Sequence, residues 1–135
     1  MGMGEGRLVL IAEDDAAQRE ILEEVLVDEG YRVLLAQSPE ELVARLAQGP
    51  DAVLMDLVGV MSPRVMRTLA ALPTRPALML VSGDNSLPQV AARLHADAFV
   101  RKPYELATLL TLLASLTQPR AQAKEMLVRA VQAHV

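Results

Sequence analysis

The sequence predicts an α/β domain with a doubly wound, five-stranded parallel sheet in the order 2-1-3-4-5. Short apolar runs alternate with segments of helical periodicity along the chain, as expected for consecutive βαβ units. Four of the five runs are nearly continuous in apolar residues, which is typical of parallel strands buried on both faces. The chain has 135 residues, of which 52% are apolar, so it is long enough for one domain with a substantial core.

The strands are predicted from the apolar runs. They cover Arg7–Ala12, Tyr31–Ala36, Ala52–Met55, Ala77–Val81 and Ala98–Arg101. The first helix follows Asp14 and Asp15, places the apolar residues Ile21, Leu22, Val25 and Leu26 at helical spacing, and ends at Gly30. Gly30 is expected to adopt the left-handed conformation that closes many helices.

The second helix has the clearest start signal. Ser38 can cap it, Pro39 suits its first turn, and Glu41 completes a capping box; Gly49 and Pro50 end it. Three more helices are predicted at about residues 63–72, 87–95 and 105–117, and His95 is interpreted as a surface cap. We therefore divide the chain into an N-terminal extension (1–6), one domain (7–117) and a helical tail or linker (118–135).

Composition excludes several classes of function. The sequence has no cysteine, so disulfides and thiolate metal sites are ruled out, and a cytoplasmic location is expected. No apolar stretch is long enough for a membrane span, which argues against a membrane anchor. The net charge is −4, with two tyrosines and one phenylalanine as the aromatics, so direct nucleic-acid binding is not expected.

Polar residues stand at the end of four predicted strands. Glu13 and Asp14 follow the first, Asp56 the third, Ser82 the fourth and Lys102 the fifth. Because the carboxyl ends of parallel strands line one edge of the sheet, these side chains should converge. Three carboxylates repel one another by about 4 kcal/mol per close pair near a protein surface, and a single lysine offsets only part of this repulsion. A hard divalent cation, best Mg²⁺, would neutralise the rest and leave room for a phosphoryl group.

The segments LVLIAEDD, VLMD, LMLVSGD and AFVRKPYE resemble the receiver domains of two-component response regulators, over about residues 7–116. The resemblance implies a flavodoxin-like strand order and a phosphorylation switch that depends on Mg²⁺. It implies that Asp56 is the phosphoacceptor. It also implies that Asp14 binds the metal directly, Glu13 binds it mainly through water, and the Val58 backbone carbonyl is a further ligand.

The same resemblance implies the remaining roles. Ser82 would follow the phosphoryl group, Lys102 would form an ion pair with it, Pro103 would follow a cis peptide bond, and Phe99 would be the aromatic switch residue. Phosphorylation would then change the face formed by the fourth helix, fifth strand and fifth helix of the family pattern. The implied partners are a sensor histidine kinase or phosphotransfer protein and a downstream target or lost output domain; a homodimer is left open.

The loop after Asp56 departs from the family pattern. Receivers usually continue with Met-Pro and a later Asp-Gly, whereas this chain has Leu57 to Pro63 in a shorter loop. A phosphorylation-independent interaction module with the same fold is therefore the alternative function. A phosphatase of the haloacid-dehalogenase type is disfavoured, because Val58 stands where such enzymes place a second aspartate. The expected activity is limited to self-phosphorylation from a phosphodonor and slow self-dephosphorylation.

Overall fold

The computed structural model describes residues 4–83, 85 and 87–117, which form alternating strands and helices. The strands are β1 (Leu8–Ala12), β2 (Arg32–Ala36), β3 (Ala52–Asp56), β4 (Ala77–Ser82) and β5 (Ala98–Arg101). The helices are α1 (Ala16–Asp28), α2 (Pro39–Leu46), α3 (Leu57–Val60), α4 (Pro63–Ala71), α5 (Leu87–Leu94) and α6 (Leu106–Thr117). The predicted segment 118–135 lies outside the described residues.

The strands form one parallel sheet in the order β2-β1-β3-β4-β5, as predicted. The register pairs Ala12 with Met55 and Asp56 with Val81, so the ends of β1, β3 and β4 lie side by side. Ser82 pairs with Arg101, which brings the ends of β4 and β5 to the same edge. The residues that follow the strands are therefore gathered at this edge.

Two apolar layers cover the sheet. On one face, strand residues such as Leu10 and Val53 pack with the buried side chains of α2, α4 and α5. On the other face, Val9 and Ile11 pack with Leu22 and Leu26 of α1 and with the buried leucines of α6. Successive strand residues thus contribute to opposite layers, which is the two-residue periodicity of a strand.

Burial on both faces holds for the three central strands. Every residue of β3 is buried, and in β1 and β4 only the first residue is partly exposed. The outer strands β2 and β5 are more exposed, because each has a neighbour on one side only. Among the described residues, no helix is long and apolar enough to cross a membrane.

The helix ends agree with their sequence signals. The Ser38 hydroxyl accepts a hydrogen bond from the Glu41 N–H at 3.2 Å, and the Glu41 carboxylate accepts one from the Gln37 N–H at 3.3 Å. Gly30 has a φ of 92°, and His95 has a φ of 54° directly after α5. His95 therefore caps α5 in the left-handed conformation that glycine usually adopts.

Two features differ from the simple sequence pattern. The one-turn helix α3 follows Asp56 directly and is not marked by apolar periodicity. Ile21 is grouped with Leu22 and Leu26 by its spacing, yet it is 56% exposed. The core-facing side of α1 is accordingly narrower than its apolar residues indicate.

Candidate functional site

The candidate site lies at the carboxyl edge of the sheet, where Lys102 bridges two carboxylates. Its Nζ donates a hydrogen bond to Oε1 of Glu13 at 3.3 Å and another to Oδ2 of Asp56. Glu13 is 3% exposed and Asp56 is 8% exposed, so both acids lie at the bottom of the site. The structure therefore brings together the side chains of Glu13, Asp56 and Lys102, which the sequence predicted to converge.

Lys102 has a third partner that the sequence did not indicate. Oε1 of Gln18, in the first turns of α1, accepts a hydrogen bond from Nζ at 2.6 Å. The three oxygen acceptors fix the ammonium group of Lys102 above Asp56.

Burial and neighbouring charges shift the pKa values of Glu13 and Lys102. The pKa of Glu13 is raised from 4.5 to about 7, mainly by burial; the charge of Asp56 adds to the rise, while the Asp15 N–H and Lys102 oppose it. Burial on its own lowers the pKa of Lys102, but the hydrogen bonds and charges of Asp56 and Glu13 together outweigh it, so the net pKa is raised. Lys102 is thus held as a cation.

The two acids after β1 have different surroundings. Asp15 is the N-cap of α1, and its carboxylate accepts a hydrogen bond from the Gln18 N–H at 2.9 Å. Asp14 is exposed and lies against Gly59 of α3, so closely that a Cβ added to Gly59 would overlap the Asp14 carboxyl group. Of the two, Asp14 therefore remains available to a ligand.

Asp56 organises the loop that follows it. Its Oδ1 accepts a hydrogen bond from the Val58 N–H at 3.0 Å and thereby caps α3. The Val58 side chain is 77% exposed. Gly59 allows α3 to approach Asp14, which makes it a structural residue of the site that the sequence pattern did not identify.

The remaining predicted residues lie on β4 and β5. Ser82 is fully buried at the end of β4, and its backbone carbonyl accepts a hydrogen bond from the Lys102 N–H at 3.1 Å. Phe99 is 48% exposed on β5 and pairs in register with Leu80. The peptide bond between Lys102 and Pro103 is cis, as the resemblance implied.

The donor chemistry of this edge fits a hard cation. Glu13 and Asp56 direct carboxylate oxygens at one cation, the Lys102 ammonium, and Asp14 adds a third carboxylate at the rim. As the side chains stand, no three acidic, histidine or cysteine side chains within 4–83, 85 and 87–117 converge on a common metal position. The residues are of the right chemical type, and Asp14 is the one that stands apart.

A five-stranded parallel sheet with acids, a serine and a lysine at its carboxyl edge defines a receiver-type domain. The sequence profile of the response regulator receiver domain matches residues 9–114, and the chain belongs to this family. Members of the family are signalling switches in two-component systems.

Known proteins agree with this assignment. The response regulator MprA of Mycobacterium bovis is 32% identical over 132 residues, covering 90% of this chain and 56% of the relative. MprA of Mycolicibacterium vanbaalenii is 34% identical over 116 residues, which cover 80% of this chain and 49% of the relative. The chain thus spans about half the length of these relatives.

Solved structures show the same fold. A CheY-like receiver domain from Methylobacillus flagellatus is 29% identical, with a TM-score of 0.70, and covers 82% of this chain and 98% of its own. The receiver domain of the sensor histidine kinase PA1611 from Pseudomonas aeruginosa is 26% identical, with a TM-score of 0.68 and coverage of 80% and 94%. That structure is described with a magnesium ion coordinated in its active site cleft.

Proposed function

We propose that this chain is a phosphoacceptor receiver in which Asp56 takes a phosphoryl group from a sensor histidine kinase or phosphotransfer protein. The observation that carries the proposal is the contact of Lys102 with both Asp56 and Glu13 at the end of β3. A carboxylate held beside a fixed cation is suited to attack phosphorus, because phosphoryl transfer depends mainly on alignment and charge stabilisation.

The reaction is a transfer in which one bond to phosphorus is exchanged for another. A carboxylate oxygen of Asp56 forms a bond to phosphorus while the bond from phosphorus to the donor nitrogen or oxygen breaks. The electron pair of that bond leaves with the donor. Lys102 stabilises the negative charge on the phosphoryl oxygens, and the hydroxyl group of Ser82, which is buried at the end of β4, would donate a hydrogen bond to one of them.

Mg²⁺ is the cofactor that this donor set suits. Glu13, Asp14, Asp56 and the backbone carbonyl of Val58 would hold it, and it would supply positive charge to the phosphoryl oxygens. Asp14 is the exposed acid of this set, and it would reach such an ion by turning away from Gly59. The magnesium described for the PA1611 receiver domain supports this choice.

The proposal is tested by mass spectrometry of the intact chain after incubation with acetyl phosphate and Mg²⁺. We expect the mass of one phosphoryl group in the wild type and none in Asp56→Asn, because an amide is a poor nucleophile. Asp15→Asn is the matched control, since asparagine also caps helices and the acceptor is untouched. A folded wild type that stays unmodified would instead favour the phosphorylation-independent interaction module.

A further inference from the structure

Helix α1 carries an exposed stripe of alternating acidic and apolar residues. Its members recur at intervals of three and four residues and so share one face of the helix. We call this set the acidic stripe: Ala17, Glu20, Ile21, Glu24, Val27 and Asp28. Ile21 is 56% and Val27 is 54% exposed, so the stripe offers two large apolar side chains beside its acidic ones.

A groove of opposite character lies between α4 and α5. It has a volume of about 360 Å³, within the size range of ligand-binding clefts. Its apolar surface comes from Met66, Leu69 and Leu72, its basic groups are Arg75 and Arg93, and none of the described residues lines it with a carboxylate. We call it the basic groove.

The charges of these two surfaces are not neutralised within the described part of the chain. The ion pairs formed by residues 4–83, 85 and 87–117 are both made by Lys102. Arg75 donates hydrogen bonds to the carbonyl groups of Leu94 and His95, which leaves its positive charge unpaired with any acid of those residues. Each surface therefore has charge complementary to the other and an apolar component to bury.

A single copy cannot bring the two surfaces together. Helix α1 covers the face of the sheet that it shares with α6, whereas α4 and α5 cover the opposite face. Two copies cannot form two such contacts with each other at once, because the stripe and the groove of each copy lie on opposite faces of its sheet. Contact between the surfaces would be head-to-tail, and such contacts produce open chains unless the rotation closes a ring.

We propose that the acidic stripe of one copy docks into the basic groove of a second copy of this chain. Glu20, Glu24 and Asp28, along the middle of the stripe, approach the two arginines of the groove, and Ile21 and Val27, at its two edges, contact the apolar lining. This is the helix-in-groove mode of recognition, with charge setting the orientation.

Sedimentation equilibrium of the full chain tests the proposal. At low salt the average mass should rise with concentration and exceed that of a dimer. It should return to the monomer value in about 1 M NaCl, where the Debye length is about 3 Å. Arg93→Glu and Glu24→Arg should each weaken association at least about tenfold, which corresponds to about 1.4 kcal/mol.

Mixing the two variants gives the decisive result. In the equimolar mixture, the native stripe of Arg93→Glu meets the native groove of Glu24→Arg, and the introduced arginine meets the introduced glutamate. The mixture should therefore associate more strongly than either variant alone. Arg32→Glu and Glu23→Arg change the net charge equally outside both surfaces and should associate as the wild type does; circular dichroism checks the folding of all four. A monomeric wild type, association unaffected by the reversals, or a mixture that stays monomeric would each overturn the proposal.

Discussion

Nζ of Lys102 lies 3.3 Å from Oε1 of Glu13, a residue that is 89 positions earlier in the sequence. The Glu13 side chain is 4% exposed, and the carboxylate of Asp56 competes with it for the same ammonium group. One cation thus compensates two buried acids, and the metal-free site retains an excess of negative charge. The stability of the metal-free protein should therefore depend on pH.

We predict that the metal-free protein loses stability as the pH rises from about 4.5 to about 7, because the folded state holds a proton on Glu13 that the unfolded chain releases more readily. The folded pKa is raised above the unfolded value, so this contribution is full below pH 4.5 and lost as the pH passes about 7. Its upper bound is roughly 3 kcal/mol. Urea unfolding in EDTA at several pH values measures it.

The matched variant for this prediction is Glu13→Gln, which cannot titrate and keeps a side chain of similar size. The free energy of unfolding of Glu13→Gln should not show the decrease that the wild type shows over this pH range. An identical pH dependence in both proteins would show that another group is responsible.

Asp14 and Asp15 should respond in opposite ways to replacement by alanine. Asp15→Ala removes the N-cap of α1 and should lower the stability of the metal-free protein by about 1 kcal/mol. Asp14→Ala should raise it, because the change removes a carboxylate next to Glu13 and Asp56, while weakening Mg²⁺ binding. Thermal unfolding of both variants with and without Mg²⁺ distinguishes these two effects. A loss of metal-free stability in Asp14→Ala would mean that Asp14 is mainly structural.

Phosphorylation of Asp56, or its beryllium fluoride mimic, should perturb the face formed by α5, β5 and α6 more than the opposite face. Ser82 is fully buried next to the site and Phe99 is 48% exposed on the neighbouring strand, so movement of the serine toward the phosphoryl group can bias the position of the phenylalanine. NMR chemical shifts measure this change. In Ser82→Ala the shifts at the strand ends should remain while those around Phe99 decrease; changes confined to the strand ends of the wild type would count against the switch.

The sequence predicted the sheet and the convergence of Glu13, Asp56 and Lys102 because strand topology alone determines where strand ends meet. The one-turn helix α3 was not predictable in this way, since it depends on the capping of the Val58 N–H by Asp56 and on the close approach of Gly59 to Asp14. The contact of Gln18 with Lys102 joins residues 84 positions apart and has no local signature. The exposure of Ile21 depends on how α1 packs against the sheet, which helical spacing does not specify.

The last prediction concerns the lifetime of the phosphorylated state. Hydrolysis requires a water molecule in line with phosphorus, and a polar side chain near that approach can hold it. Val58 is two residues after Asp56, its N–H is bound to Oδ1 of Asp56, and its exposed side chain is apolar, so it cannot position water. We expect slow self-dephosphorylation of the wild type, and we expect Val58→Asn to accelerate it several-fold, an effect of about 1 kcal/mol on the barrier.

The decay of the phosphorylated mass in the presence of Mg²⁺ measures both rates, and Val58→Ala is the control because it is smaller but still apolar. If Val58→Asn and the wild type decay at the same rate, access of water to the phosphoryl group is governed by other residues.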